Sequence, residues 1–99
     1  MDELVPPVLA DVRSLLDRPE GTAPPSRAAV EHTLTSGYAY ALELEGERLR
    51  IERRLRTLVR SGADSAREIS ELHRLLAEAE GELASVRALL SNARAQALA

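Results

Sequence analysis

The sequence contains no cysteine, no lysine, no phenylalanine and no tryptophan. Each absence removes a class of chemistry. Without cysteine there is no disulfide, no thiol nucleophile and no thiolate metal site. Without lysine there is no amine for Schiff-base chemistry. All 13 basic residues are arginine, each a planar fork suited to carboxylate or phosphate. Tyr38 and Tyr40 are the only aromatics and isoleucine occurs only at Ile51 and Ile69, which disfavours a β-sandwich core. No apolar run reaches the ~18 residues of a membrane-spanning helix. The start, Met1-Asp2-Glu3 followed by Pro6-Pro7, does not read as a secretory signal. The net charge of −3 exerts no general pull towards nucleic acid or an anionic membrane. With an arginine-rich composition of the kind GC-rich coding produces, these features predict a cytoplasmic bacterial protein.

What the sequence does have is leucine and alanine at helical spacing, in a chain whose 99 residues allow one domain. Residues 1–18 hold an amphipathic run, Val8, Leu9, Val12, Leu15 and Leu16, that fits about three helical turns opened by Pro6-Pro7. Such a helix is marginal alone and must dock on something. Residues 19–26 form a linker in which three prolines and a glycine forbid helix.

From residue 27 to about 60 the period returns, with Ser26 as the N-cap. In heptad terms position a holds Arg27, Leu34, Ala41, Arg48 and Leu55, and position d holds Val30, Gly37, Leu44, Ile51 and Leu58. The seam is apolar but interrupted at Gly37 and Arg48. Gly62 suits a left-handed helix end, and Ser65 stands at capping-box spacing from Glu68, with Asp64 as the rival cap. A second helix then runs from about 65 to 96. Its seam is unbroken: Ile69, Leu76, Leu83, Leu90 and Ala97 at a, and Leu72, Ala79, Val86 and Ala93 at d. So short a loop predicts an antiparallel, coiled-coil-like helical hairpin over 27–99 with left-handed packing. Each helix should be ~50 Å long at ~1.5 Å per residue.

The two helices carry more apolar surface than a two-helix hairpin can hide. Tyr38, Leu42 and Leu49 widen the first stripe, and Leu75 and Leu89 widen the second. Pairing of two hairpins into a homodimeric four-helix bundle is the expected remedy, through an interface drawn from Leu34, Tyr38, Leu42, Leu44, Leu49, Ile51, Leu55, Leu75, Leu76, Leu83, Leu89 and Leu90. The N-terminal segment is the other candidate cover. Tyr38 and Tyr40 are candidate interface anchors. Folding the chain about residue 62 also brings the small residues Gly37, Ala41, Ala84 and Ala88 together, permitting close helix approach.

The same folding sets a polar layer at mid-height from Glu45, Arg48, Glu52, His73 and Glu80. Two readings follow: ion pairs that fix register, or a site for a charged small molecule. No Glu-x-x-His spacing is present, so a di-iron site is not indicated. His32 carries no signal. Glu43, Glu45 and Glu47 would face Glu78, Glu80 and Glu82 as an acidic belt. Arg48, Arg50, Arg53, Arg54, Arg56, Arg60 and Arg67 cluster towards the turn. In a dimer, the arginine-rich half of one first helix is expected to contact the belt of its mate. No nucleotide-binding loop, activated nucleophile or metal-ligand spacing occurs, and neither catalytic residues nor a cofactor are expected.

The architecture resembles small helical-hairpin regulators of GC-rich bacteria, such as the cyclic-dinucleotide-sensing anti-sigma proteins. Their ligand motif, Glu-x3-Ser-x2-Arg-x3-Gln-x3-Asp, is matched only by Ser91 and Arg94, and Arg87 stands where glutamate is required. The sequence therefore predicts a non-enzymatic oligomeric adaptor or regulator, with residues 1–18 docking on the bundle or on a second protein. A ligand-sensing bundle is the first alternative, and nucleic-acid binding through the arginine-rich tip is the second.

Overall fold

The computed structural model describes residues 6–62 and 64–97, which form three helices: α1 (Pro7–Leu16), α2 (Arg27–Ser61) and α3 (Ala66–Ala97). No strand occurs among the described residues. Residues 1–5, 63 and 98–99 of the segments assigned above lie outside them. The molecule is a rod of 61 × 26 × 17 Å.

Local chemistry sets the helix ends. Pro6 precedes α1 and Pro7 opens it, so the missing N–H falls where a helix has no internal acceptor to lose. The Pro6 carbonyl accepts from the N–H groups of Leu9 and Ala10 at 3.0 and 3.3 Å. At the start of α2 the Ser26 hydroxyl accepts the Ala29 N–H at 3.0 Å, the expected cap. Gly62 ends α2 at φ 67°, a left-handed conformation that glycine adopts without steric cost. The Ser65 carbonyl then accepts the Ile69 N–H at 2.8 Å and starts α3. The Glu68 carboxylate accepts from the guanidinium of Arg54 across the turn, at 2.9 Å from Nη2.

Long-range contacts show a hairpin-like arrangement of α2 and α3. Arg54 meets Glu68 near the turn, Glu45 meets Arg87 further along, and Gly37 lies against Leu90 beyond that. The buried seam matches the heptads: Val30, Leu34, Ala41, Leu44, Leu55 and Leu58 on α2, and Ala79, Leu83, Val86, Leu90 and Ala93 on α3.

α1 lies across the end of the hairpin away from the turn and touches both long helices. Its Val12 and the facing Leu90 are 0% exposed, and Leu9, Leu15 and Leu16 pack around them. Gly37 makes this possible. A Cβ at that position would stand 2.4 Å from Leu90 Cδ2 and 3.1 Å from Val12 Cγ2. The glycine that reads as a break in the heptad is the notch where three helices meet. The expected cluster of small residues is corrected accordingly: Ala41 is buried, but Ala84 and Ala88 face solvent and Leu90 fills the space beside Gly37.

Candidate interaction surface

The apolar residues assigned to association fall into two sets. Leu34, Leu44, Leu55, Leu83 and Leu90 are buried within the single chain and have no face left for another. Leu89 is half-buried against the clasp of α1, and Ile51, Leu75 and Leu76 are half-buried. Tyr38, Leu42 and Leu49 are open to solvent at 41%, 72% and 39% exposure, and Val59 joins them at 65%. The segment assigned to partner capture is likewise engaged. Val12 is sealed, and Val8, Leu9, Leu15 and Leu16 are half-buried because α1 lies on its own hairpin. The tyrosines divide in the same way: Tyr38 is exposed, whereas Tyr40 packs beside the core.

The spacing of α2 explains the open set. Leu34, Ala41, Leu44, Leu55 and Leu58 follow the seam and face α3, while Tyr38, Leu42 and Leu49 recur at four and seven residues on a neighbouring stripe. Neither α1 nor α3 covers that stripe. Apolar side chains aligned in this way mark an interaction face more strongly than scattered ones do.

The polar layer forms in part, with one substitution of members. Arg48 donates from Nε to Glu45 at 2.7 Å and from Nη1 to Glu52 at 3.1 Å. Arg87, which the sequence reading left out, donates to the second oxygen of Glu45 at 3.0 Å. These two guanidinium groups, Arg48 first, hold the Glu45 carboxyl below the usual carboxylate range. Glu45 in turn holds the Arg48 guanidinium above its usual range, with Glu52 and Glu80 adding to the effect. His73 does not belong to the layer. It lines an open hollow of 250 Å³ with Leu55, Arg56, Val59 and Arg60. Glu80 lines a separate open hollow of 380 Å³ with Arg48, Leu83, Ala84 and Arg87. Among the described residues no three histidine or acidic side chains gather as a metal-holding group.

The expected acidic belt is broken for the same reason. The long side chain of Arg87 reaches across to Glu45, and Arg74 pairs with Glu71 and Glu78 along α3. What remains surrounds Tyr40, whose hydroxyl donates to Glu82 at 2.8 Å. Burial, that hydrogen bond and the charges of Glu82, Glu43 and Glu47 push the Tyr40 hydroxyl up to about 12. Of the arginines near the turn, Arg54 pairs with Glu68, whereas Arg50, Arg53, Arg56 and Arg60 form no ion pair with a described residue. The Glu43 and Glu47 carboxylates are equally without an ion pair among the described residues.

Heptad spacing could reveal the open stripe, because Tyr38, Leu42 and Leu49 lie off the a and d positions. No local signal marks Arg87 as a member of the polar layer; its role depends on reach across the helix pair. No helix is long and apolar enough to cross a membrane among the described residues. Comparison of the chain with family models, with curated proteins and with solved structures gives no match.

Proposed function

We propose that this chain is a non-enzymatic helical adaptor that works by binding other protein chains, beginning with a second copy of itself. Its two long helices run antiparallel, α1 clasps one end, and two such hairpins bring four long helices together. The observation that carries the reading is the open stripe of Tyr38, Leu42 and Leu49 on a molecule whose other described leucines lie buried or half-buried among its own helices. Exposing these side chains to water is unfavourable by roughly 25 cal/mol per Å² of apolar surface, and a mating surface removes that penalty. The closed Arg48–Glu45–Glu52 arrangement favours a structural role for the polar layer over ligand sensing, because the acids nearest Arg48 already hold it.

The test is size-exclusion chromatography with light scattering across a concentration series. The wild-type chain is expected to be a dimer. The variant carrying both Leu42→Glu and Leu49→Glu is expected to be a single-copy species with unchanged helical circular dichroism. A wild-type chain that stays single-copy at high concentration overturns the reading.

A further inference from the structure

The open stripe has a direction. On a wheel of ~100° per residue, Tyr38, Leu42, Glu45, Leu49, Arg53, Arg56 and Arg60 fall within an arc of about 80°. Before Leu49 the stripe carries the acid Glu45; after it, the charged residues within the arc are arginines. Arg53, Arg56 and Arg60 are exposed and form no ion pair with a described residue. Glu45 accepts from Arg48 and Arg87 within its own chain.

We infer that the second copy lies with its α2 antiparallel to this α2, the two crossing at Leu49. This inference rests on the self-association proposed above and adds its orientation and register. In that register Leu49 meets the partner's Leu49, and the partner's Arg53 stands beside Glu45, apart from its own counterpart. Leu42 lies along the aliphatic stem of the partner's Arg56, which can cover it while the guanidinium stays in water. Tyr38 meets the partner's Arg60, a pairing of ring face and cation. A parallel copy sets Arg53, Arg56 and Arg60 each against its own counterpart. Opposed like charges of this kind select against an arrangement even where the favourable pairs add little affinity. The stripe is thus self-complementary in one orientation and self-repelling in the other.

The absence of cysteine makes the test direct, since each introduced cysteine is the only one in the chain. Leu49→Cys, Leu42→Cys and Arg56→Cys are made singly at accessible positions and oxidised, and disulfide-linked dimer is measured on non-reducing gels. A disulfide needs Cα atoms within about 7 Å. Leu49→Cys is expected to link to itself. Leu42→Cys mixed with Arg56→Cys is expected to link on the order of tenfold more than either variant alone, since only the mixed pair meets that distance limit. Efficient self-linking of both Leu42→Cys and Arg56→Cys overturns the orientation in favour of a parallel one. Absence of linking in every variant, with light scattering still reporting a dimer, overturns the surface and leaves self-association standing. A single-copy wild-type chain removes both.

Discussion

The two halves of the hairpin are built from the same residue types and close to different extents. Away from the turn, where α1 lies across α2 and α3, Val30, Leu34, Leu83, Val86, Leu90 and Ala93 are buried in one continuous core. Towards the turn only two helices are present. There Leu55 and Leu58 are buried, but Ile51, Ile69, Leu72, Leu75 and Leu76 remain half-buried and Val59 is open. A pair of helices offers each side chain neighbours on one flank only, so a leucine at a faultless heptad position still meets water. Ten residues of α1 change that for one end. The comparison teaches that seam quality read from heptads is not the same as closure, which depends on how many elements surround the seam.

The sharpest way to break this comparison is to cut equal side chains from each half. Leu90→Ala, at the sealed three-helix junction, is expected to cost about 2–5 kcal/mol in urea denaturation, the range for truncating a buried leucine. Leu76→Ala, half-buried in the two-helix section, is expected to cost clearly less. Equal losses would show the halves to be equally closed. Gly37→Leu comes next. Overfilling the notch is expected to cost about 1–3 kcal/mol and to release α1. Tryptic cleavage after Arg13 should then accelerate while the helicity of α2 and α3 persists. An unchanged cleavage rate would remove Gly37 as the seat of the clasp.

Tyr40 sharpens the comparison further, because it packs against the closed half. Its folded pKa is raised, so the neutral hydroxyl is the form that the fold favours. The stability it contributes is fully present below its ordinary value of 10.0 and is lost as the pH climbs through about 12. In a Tyr38→Phe background, tyrosinate absorbance should titrate late in the folded chain and earlier when Gly37→Leu is added. Titration that ignores the second change would uncouple Tyr40 from the clasp. The smallest effect belongs to the polar layer. Glu45 has a lowered pKa, so its contribution is present above the unfolded carboxyl value and is lost as the pH falls through the depressed one. Its pairs are solvent-accessible and therefore weak. Arg48→Met should shift the urea midpoint less than either core change and flatten the acid limb of the stability profile.

The sequence made legible what local chemistry decides. Both long helices, the Ser26 cap, the left-handed Gly62 and the heptad positions of the buried seam all depend on residues a few positions apart. The readings that failed depended on three dimensions. Close approach at Gly37 is legible, but its neighbours are Val12 and Leu90, far off along the chain, and not Ala84 and Ala88. His73 lies outside the polar layer because counting back from the turn fixes helix register only to within a turn. Arg87 was missed because a guanidinium on a long stem acts on a carboxylate that its own backbone does not touch. The open stripe is half legible: Tyr38, Leu42 and Leu49 are excess apolar surface off the a and d positions, but heptad position alone does not say which leucines the chain's own helices cover.

The contact between Val12 and Leu90 also bears on the order of events during synthesis. α1 leaves the ribosome well before α3 and finds no complete seat until Leu90 has followed, since that seat is walled by Gly37 of α2 and Leu90 of α3. Closure spans almost the whole length of the chain, which slows its search relative to the hairpin's near-neighbour pairing. The nascent protein therefore passes through a stage in which the long helices can zip from Gly62 while the amphipathic leader still waits, its greasy side bare. Chaperones or early mating with a sister chain would find their opportunity in that interval.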